Sequence, residues 1–421
     1  MLDVVVKNTE RFLLSVPKTK RKKYGQFFTN MSTAKFMASL FCFDRSKPCL
    51  EILDAGAGTG ILATAVIQKL IDDGYKGRIH VTCYETDDFV MPVLEENMRL
   101  STVLPNVTCS IKTDNYITSQ NFSDYTLFGG EDSHYDYIIG NPPYLKTSKD
   151  AIEALAMPEV CYGAPNLYFL FWAMGIHNLK EGQELVYIIP RSWTSGAYFK
   201  RFREYLFREC VLTDIHLFEK RDKVFDGESV LQETMIVKVK KTRVVPSAIN
   251  ITTSSTSDFK DISSFSAPYE TVVTKNHCVC VVTNSDDVNV LHTINHFSKT
   301  LPEINLKMQT GIIVDFRTRE VLRNELEEGA YPLLYAQHIR EGKIVWPLGK
   351  EGEVIKTERK SYLQENGNFL LVKRFTSKEE PRRLQCGIYL KKKFDKFKYI
   401  STHNKVNFIK CDSPCVTYGL Y

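Results

Sequence analysis

The sequence predicts an α/β chain: a mostly parallel sheet of seven strands covered by helices on both faces, followed by a second domain. Three observations carry this. Short apolar runs alternate with helical stretches through the first 240 residues, and that alternation builds a parallel sheet buried on both sides. A glycine-rich turn, Gly56-Ala-Gly-Thr-Gly60, stands between one such run and the helix after it. Near Lys240 the texture changes, and residues 246–268 are rich in Ser and Thr, which reads as a connector between domains. A chain of 421 residues also exceeds one ordinary core.

In chain order, Leu50–Asp54 is a short strand ending in an acid, and Ile61 to about Asp72 has helical spacing. Arg78–Tyr84 is a second strand, closed by Glu85, and Asp88–Leu100 a helix. Asn106–Ile111 and Tyr135–Gly140 are the third and fourth strands. Pro165–Leu179 has helical apolar spacing and Glu184–Pro190 is a fifth strand. Ala197–Cys210 is a helix, Leu212–Phe218 a sixth strand and Glu233–Lys240 a seventh. Residues 1–245 and 270–421 are the expected domains; in the second, strand and helix signals are short and irregular.

Composition narrows the class. No stretch approaches the roughly 20 apolar residues of a membrane span. The N-terminal run MLDVVVKNTERFLL has acids in its apolar stretch and no small-residue cleavage site, unlike a signal peptide. Eleven cysteines are scattered without CxxC pairs, as expected of free thiols in a reducing cytosol. Cys278 and Cys280 sit beside His277 at alternating strand spacing with no second ligand pair, so no metal site is expected.

The most informative residues are Asn141-Pro142-Pro143-Tyr144, directly after the fourth strand. They offer an amide oxygen, a stiff carbonyl and an aromatic face, while the two prolines hold φ near about −65° and remove backbone donors. Such a set of acceptors suits an –NH₂ group on a flat heterocycle. Upstream, the turn in Asp54-Ala-Gly-Ala-Gly-Thr-Gly60 lets backbone approach a ligand closely. Its GxGxG pattern lacks the GxGxxG spacing of a dinucleotide site. An acid before it suits a cationic or zwitterionic ligand, such as the amino-acid end of S-adenosylmethionine. Glu85 ends the next strand, where a carboxylate reaches ribose hydroxyls, and Asp114 follows the third, placed for an adenine amine. Any one of these acids equally suits a loop or a helix cap; three after successive strands mark the ligand-binding edge of such a sheet. Lys23-Tyr-Gly-Gln-Phe-Phe-Thr29 precedes a helix and either covers the same ligand or is an ordinary apolar helix entry. From Lys373 to Lys410, twelve Lys/Arg face three acids, interleaved with Phe375, Tyr389, Phe394, Phe397 and Tyr399. That surplus fits either a polyanion site or a solvated face.

Together these motifs resemble the gamma class of DNA adenine-N6 methyltransferases. YGQFFT precedes LDAGAGTG, and Glu85, Asp114, Asn-Pro-Pro-Tyr and Gln232-Glu-Thr-Met-Ile-Val237 follow in that order, over residues 20–240. Phe369–Arg383 (FLLVKRFTSKEEPRR) is similar to the target-recognition half of type II modification methylases of the BsuBI/PstI type. The resemblance implies a Rossmann-like seven-stranded methyltransferase domain with a C-terminal α+β target-recognition domain, one that leaves room for a missing last part. It implies S-adenosylmethionine as cofactor, held by Tyr24, Gln26, Phe27, Phe28, Thr29, Asp54, Gly56, Gly58, Gly60, Glu85, Asp114 and Asn141. It implies that Asn141, Pro142, Pro143 and Tyr144 act on an adenine flipped out of the duplex, with Phe225 as a second stacking ring. Lys373, Arg374, Lys378, Arg382, Arg383, Lys391, Lys392 and Lys393 would contact double-stranded DNA. The implied setting is the cytoplasm of a bacterium, or a phage or mobile element, with a cognate restriction endonuclease as functional partner, no membrane, and a palindromic target such as CTGCAG. Arg191, after the fifth strand, faces nucleic acid or is an ordinary strand-end residue. Other readings stay open: a glutamine-N5 methyltransferase acting on protein, which shares the tetrapeptide, a cytosine-N4 or RNA adenine enzyme, and a silent DNA-binding module.

Overall fold

The computed structural model describes residues 1–15, 29–122, 134–219, 233–297, 299–376, 380, 382 and 384–421. The chain divides into two compact units, Met1–Asn295 and His296–Tyr421.

In the first unit the strands are β1 (Cys49–Ala55), β2 (Arg78–Tyr84), β3 (Val107–Lys112), β4 (Tyr135–Gly140), β5 (Leu179–Pro190), β6 (Cys210–Phe218), β7 (Thr234–Lys241), β8 (Ala248–Ser254) and β9 (Ser263–Pro268). The helices used below are α1 (Leu2–Ser15), α2 (Met31–Ser39), α3 (Ile61–Asp72), α4 (Met91–Ser101), α5 (Ile152–Ala156), α6 (Leu167–Asn178) and α7 (Lys200–Glu209). Among the described residues these strands form one sheet in the order β3-β2-β1-β4-β5-β7-β6-β8-β9. β3, β2, β1, β4 and β5 run parallel, and β7 is inserted antiparallel between β5 and β6. The middles of the central strands are apolar because both faces are covered: Ile52, Leu53, Ile138, Ile139, Val186 and Ile188 are buried. Strand order reverses at β1, whose neighbours are β2 and β4. Such a switch point opens a crevice beyond the carboxyl ends of the strands.

Two expectations change. Residues 246–268 are not a connector. Ile249, Ile251 and Thr253 of β8 alternate into the core, as β-branched residues do on a pleated surface. β8 pairs parallel with β6, and β9 antiparallel with β8. The seven-stranded core thus carries two more strands, and the first unit runs to Asn295 rather than to residue 245. β5 begins at Leu179, before the expected Glu184, and its register with β4 shifts between Tyr135 and Tyr137. Gly182 absorbs this irregularity at a φ of 78°.

Among the described residues the second unit holds two sheets. One has six strands: Met308–Thr310, Val406–Cys411, Asn368–Lys373, Cys386–Tyr389, Gly342–Ile344 and Ile339–Arg340 in spatial order; the other has five. A terminal helix spans Pro414–Leu420. Among the described residues no helix is long and apolar enough to cross a membrane.

Candidate active site

The glycine turn leaves β1 and is fixed from both sides. The N–H groups of Gly56 and Ala57 donate to the Tyr84 carbonyl at 2.9 and 2.8 Å, and that of Gly60 to the Ala57 carbonyl at 2.9 Å. Gly56, Gly58 and Gly60 have φ of 73°, 55° and 80°, a region that penalises a Cβ. At Gly60 space forbids one as well, since a Cβ would lie 3.0 Å from both Leu94 and Met98 of α4.

The three acids behave differently. Asp54 is buried behind the turn and its Oδ2 accepts the Ala63 N–H of α3 at 3.1 Å. Burial pushes its carboxyl up to about 7. Glu85 braces the turn: Oε2 accepts the Gly58 N–H at 2.9 Å, while Oε1 accepts those of Thr86 and Asp87 at 2.8 Å each. Burial raises its pKa against those three donors. Asp114 is exposed at the end of β3.

One cavity of about 690 Å³ lies at the switch point. Its walls include Thr29, Gly56, Gly58, Glu85, Asp114, Asn141 and Pro143, which the sequence had singled out. Asp54, Gly60, Pro142 and Tyr144 do not line it. Asp54 holds the first turn of α3 from beneath. Tyr144 is likewise buried, 8% exposed, with its hydroxyl donating to the Ile188 carbonyl of β5 at 2.9 Å. The ring expected to face a base is thus anchored to the neighbouring strand. Tyr24, Gln26, Phe27, Phe28 and Phe225 lie outside the described residues, as do Lys378 and Arg383.

Asn141 sits where β4 stops. Gly140 before it has no room for a side chain, since a Cβ would lie 2.7 Å from the Tyr187 ring. The Asn141 amide donates to Thr29 Oγ1 at 3.1 Å, closing a gap of 112 residues in sequence. Pro143 and Phe171 of α6 both approach Gly56, at 3.9 and 3.6 Å from the position of a Cβ. The tetrapeptide, the glycine turn and α6 therefore meet at one point.

Residues that the sequence did not flag complete the walls. Phe171, Phe89, Tyr84 and Tyr116 supply aromatic surface, and Asp87, Asp88 and Glu153 add carboxylates to Glu85 and Asp114. They come from separate segments, so no local motif marks them. Outside the cavity α1 holds the turn: Thr9 Oγ1 donates to Thr59 Oγ1 at 2.8 Å. Asn8 donates to Asn97 Oδ1 at 3.0 Å, and Asn97 to the Thr59 carbonyl at 2.8 Å. Phe12 lies 5.7 Å from Phe89, ring centre to ring centre.

A 690 Å³ cleft with aromatic walls and a carboxylate rim fits a nucleoside carrying cationic groups. Backbone acceptors, carboxylates and one amide supply positioning and charge. Among the described residues no group of three His, Cys, Asp or Glu is arranged to hold a metal ion. His277 occupies a turn at a φ of 58°, beside a bridge between Val273 and Val279. Arg191 is tied down, donating to the Phe218 carbonyl at 2.9 Å and lying 3.6 Å from Glu233.

In the basic stretch the aromatics divide. Tyr389, Phe394 and Phe397 are core residues of the second unit, not an interleaved stacking surface, whereas Phe375 is 65% exposed. Arg374, Arg382, Lys391, Lys392 and Lys393 are exposed. Lys373 is half-buried, 3.9 Å from Glu380.

The family described as Eco57I restriction-modification methylase matches residues 63–225. The chain is 31% identical over 431 residues to the type II methyltransferase M.BsuBI of Bacillus subtilis, covering 99% of this chain and 85% of that protein. It is 31% identical over 386 residues to M.PstI of Providencia stuartii, covering 89% and 75%. A release factor glutamine methyltransferase of Fusobacterium nucleatum is 32% identical over 137 residues, 32% of each chain. Among solved structures, the DrdV–DNA complex matches with a TM-score of 0.52 at 13% identity, over 97% of this chain and 51% of that one. A nuclease-deletion mutant of the Type ISP enzyme LlaGI, in complex with a DNA substrate mimic, matches with a TM-score of 0.52 at 11% identity, over 91% and 48%. This chain spans about half the length of those two, and at such identities the likeness is one of fold.

Proposed function

Because this chain belongs to the type II methyltransferases of restriction–modification systems, whose methyl donor is S-adenosylmethionine, we propose that it methylates the N6 amine of adenine in double-stranded DNA. The observation that carries this reading is the placement of Asn141: its amide stands on the wall of the cavity that the glycine turn, Glu85 and Asp114 also line. When bound, the donor supplies a methyl group for direct in-line displacement. Asn141 Oδ1 and the Pro142 carbonyl accept hydrogen bonds from the target amine. That draws the nitrogen lone pair out of the ring and toward the methyl carbon, and the nitrogen then sheds a proton. Catalysis rests on positioning and electrostatics, without a covalent enzyme intermediate.

The target amine is paired inside a duplex, so the base has to be extruded to reach the cavity. Stacking on an aromatic ring contributes roughly 1–3 kcal/mol toward that cost. Tyr144 and Phe225 are the rings assigned to it, with Tyr144 held in one orientation by its bond to Ile188. Methylation in this reading protects DNA from a cognate endonuclease.

Tritiated-methyl transfer to plasmid DNA, with modified-base sequencing, tests the proposal. N6-methyladenine in a short recurrent sequence is the expected product. Asn141→Ala should lower kcat by about 100-fold or more, with the Kd for S-adenosylmethionine moving far less. Equal loss of both would make Asn141 a structural residue. The local likeness to a glutamine methyltransferase favours one rival, and label appearing in protein but not in DNA would establish it.

A further inference from the structure

The basic stretch is continuous in sequence but split in space. Asn368–Lys373 pairs antiparallel with Cys386–Tyr389 and with Val406–Cys411. Its carboxyl end meets Cys386 and Val406 and runs on into Arg374 and Phe375. Its amino end meets Tyr389 and Cys411, and there the turn Lys391–Lys393 begins, with the Lys391 N–H on Asn368 Oδ1 at 3.1 Å. Five residue steps at strand rise set the two ends roughly 17 Å apart.

At the Arg374 end several loops are bound together. The Arg374 N–H donates to the Lys405 carbonyl at 2.9 Å and its guanidinium to the Asn404 carbonyl at 3.3 Å. The Lys373 N–H donates to the Gln385 carbonyl at 2.9 Å. The segment from Arg382 joins the same end, where the Gln385 side-chain amide donates to the Arg382 carbonyl at 3.3 Å. Exposed Arg374, Arg382 and Lys405 thus come together from separate segments, whereas Arg340 stands on the far edge strand of the sheet. Beside them Phe375 is 65% exposed, with the Arg374 guanidinium 5.3 Å from its ring centre. The Lys391 end differs: three lysines share one short turn, and Phe394 and Phe397 beneath it are buried.

We propose that the Arg374 end is the surface that grips nucleic acid: its cations take phosphates, and Phe375 takes the face of an unstacked base. Lys391–Lys393 form a solvated turn outside it. Cations gathered from separate loops around an exposed aromatic match the alternating phosphates and bases of a strand, which a single lysine run does not. This inference rests on the DNA reading above.

Fluorescence anisotropy with the full-length protein and a labelled duplex of arbitrary sequence carrying one unpaired base, across a salt series, tests it. Each lost phosphate contact lowers the slope of log K against log salt by about 0.9. Arg374→Gln with Lys405→Gln should lower the slope by about two, while Lys391→Gln/Lys392→Gln/Lys393→Gln leaves it in place. Phe375→Ala should weaken binding about ten-fold at constant slope, and Phe375→Trp should restore it. A slope that falls with the three lysines and not with Arg374 and Lys405 overturns the surface while leaving the DNA reading intact. Absence of duplex binding by the unaltered protein overturns both.

Discussion

A carboxyl group with no water around it reports its burial through pH. Asp54 holds its proton up to about 7 in the folded chain, whereas an unfolded Asp releases it near about 3.9. Its folded pKa is raised, so the associated stability is full below about pH 4 and declines as pH rises toward 7. Asp54→Asn keeps an acceptor for the Ala63 N–H and cannot ionise. Melting curves should show the variant close to the parent at pH 4, and more stable at pH 8, with the gap widening by roughly 1 kcal/mol per pH unit in between. A gap independent of pH would mean that Asp54 is charged throughout. The same residue shows what local sequence reveals. An acid before a glycine turn was visible in the string, but its bond to the Ala63 N–H depends on the path of α3, which no tetrapeptide encodes. Asn141 was more legible, because strand end, amide and two prolines are contiguous.

At the level of elements, α1 is the part that sequence undervalued. Its apolar residues Leu2 and Val5 are buried as expected of an amphipathic helix. Nothing local signals that Thr9 reaches Thr59, 50 residues away, inside the glycine turn. Thr9→Val preserves shape and removes that bond, at a cost of about 1 kcal/mol. If α1 sets the geometry of the turn, KM for S-adenosylmethionine should rise roughly five-fold with kcat little changed, and Thr9→Ser should restore it. A loss of melting temperature with KM unmoved would reduce α1 to a packing element. The walls contributed by α6 and by the turn after β2 were illegible for the same reason: Phe171 and Phe89 reach the site only through tertiary packing. Six of the seven expected strands were readable to within two residues, since buried strands are written as apolar runs, while the start of β5 and all of β8 and β9 were not.

For the whole molecule, the division at residues 295 and 296 gives a direct test. A fragment covering residues 1–295 includes every cavity-lining residue named here, and it should bind S-adenosylmethionine with a Kd within about three-fold of the full chain. The nucleic-acid surface proposed above belongs to the other unit, so the fragment should lose most duplex affinity. Isothermal titration and anisotropy on the same preparation measure both, and full retention of duplex binding would move the principal DNA contacts into the first unit. Reading residues 246–268 as a linker fails because their Ser and Thr belong to strands.

That misreading points to what β9 does for the molecule in solution. A sheet ending at β6 or β8 would present a rim of unpaired amides and carbonyls beside apolar side chains, ready to recruit another chain. β9 ends it instead with SSFSAP, in which Ser263, Ser264 and Ser266 are exposed and a proline closes the strand. Small hydroxyls and a missing amide make a poor template for further pairing.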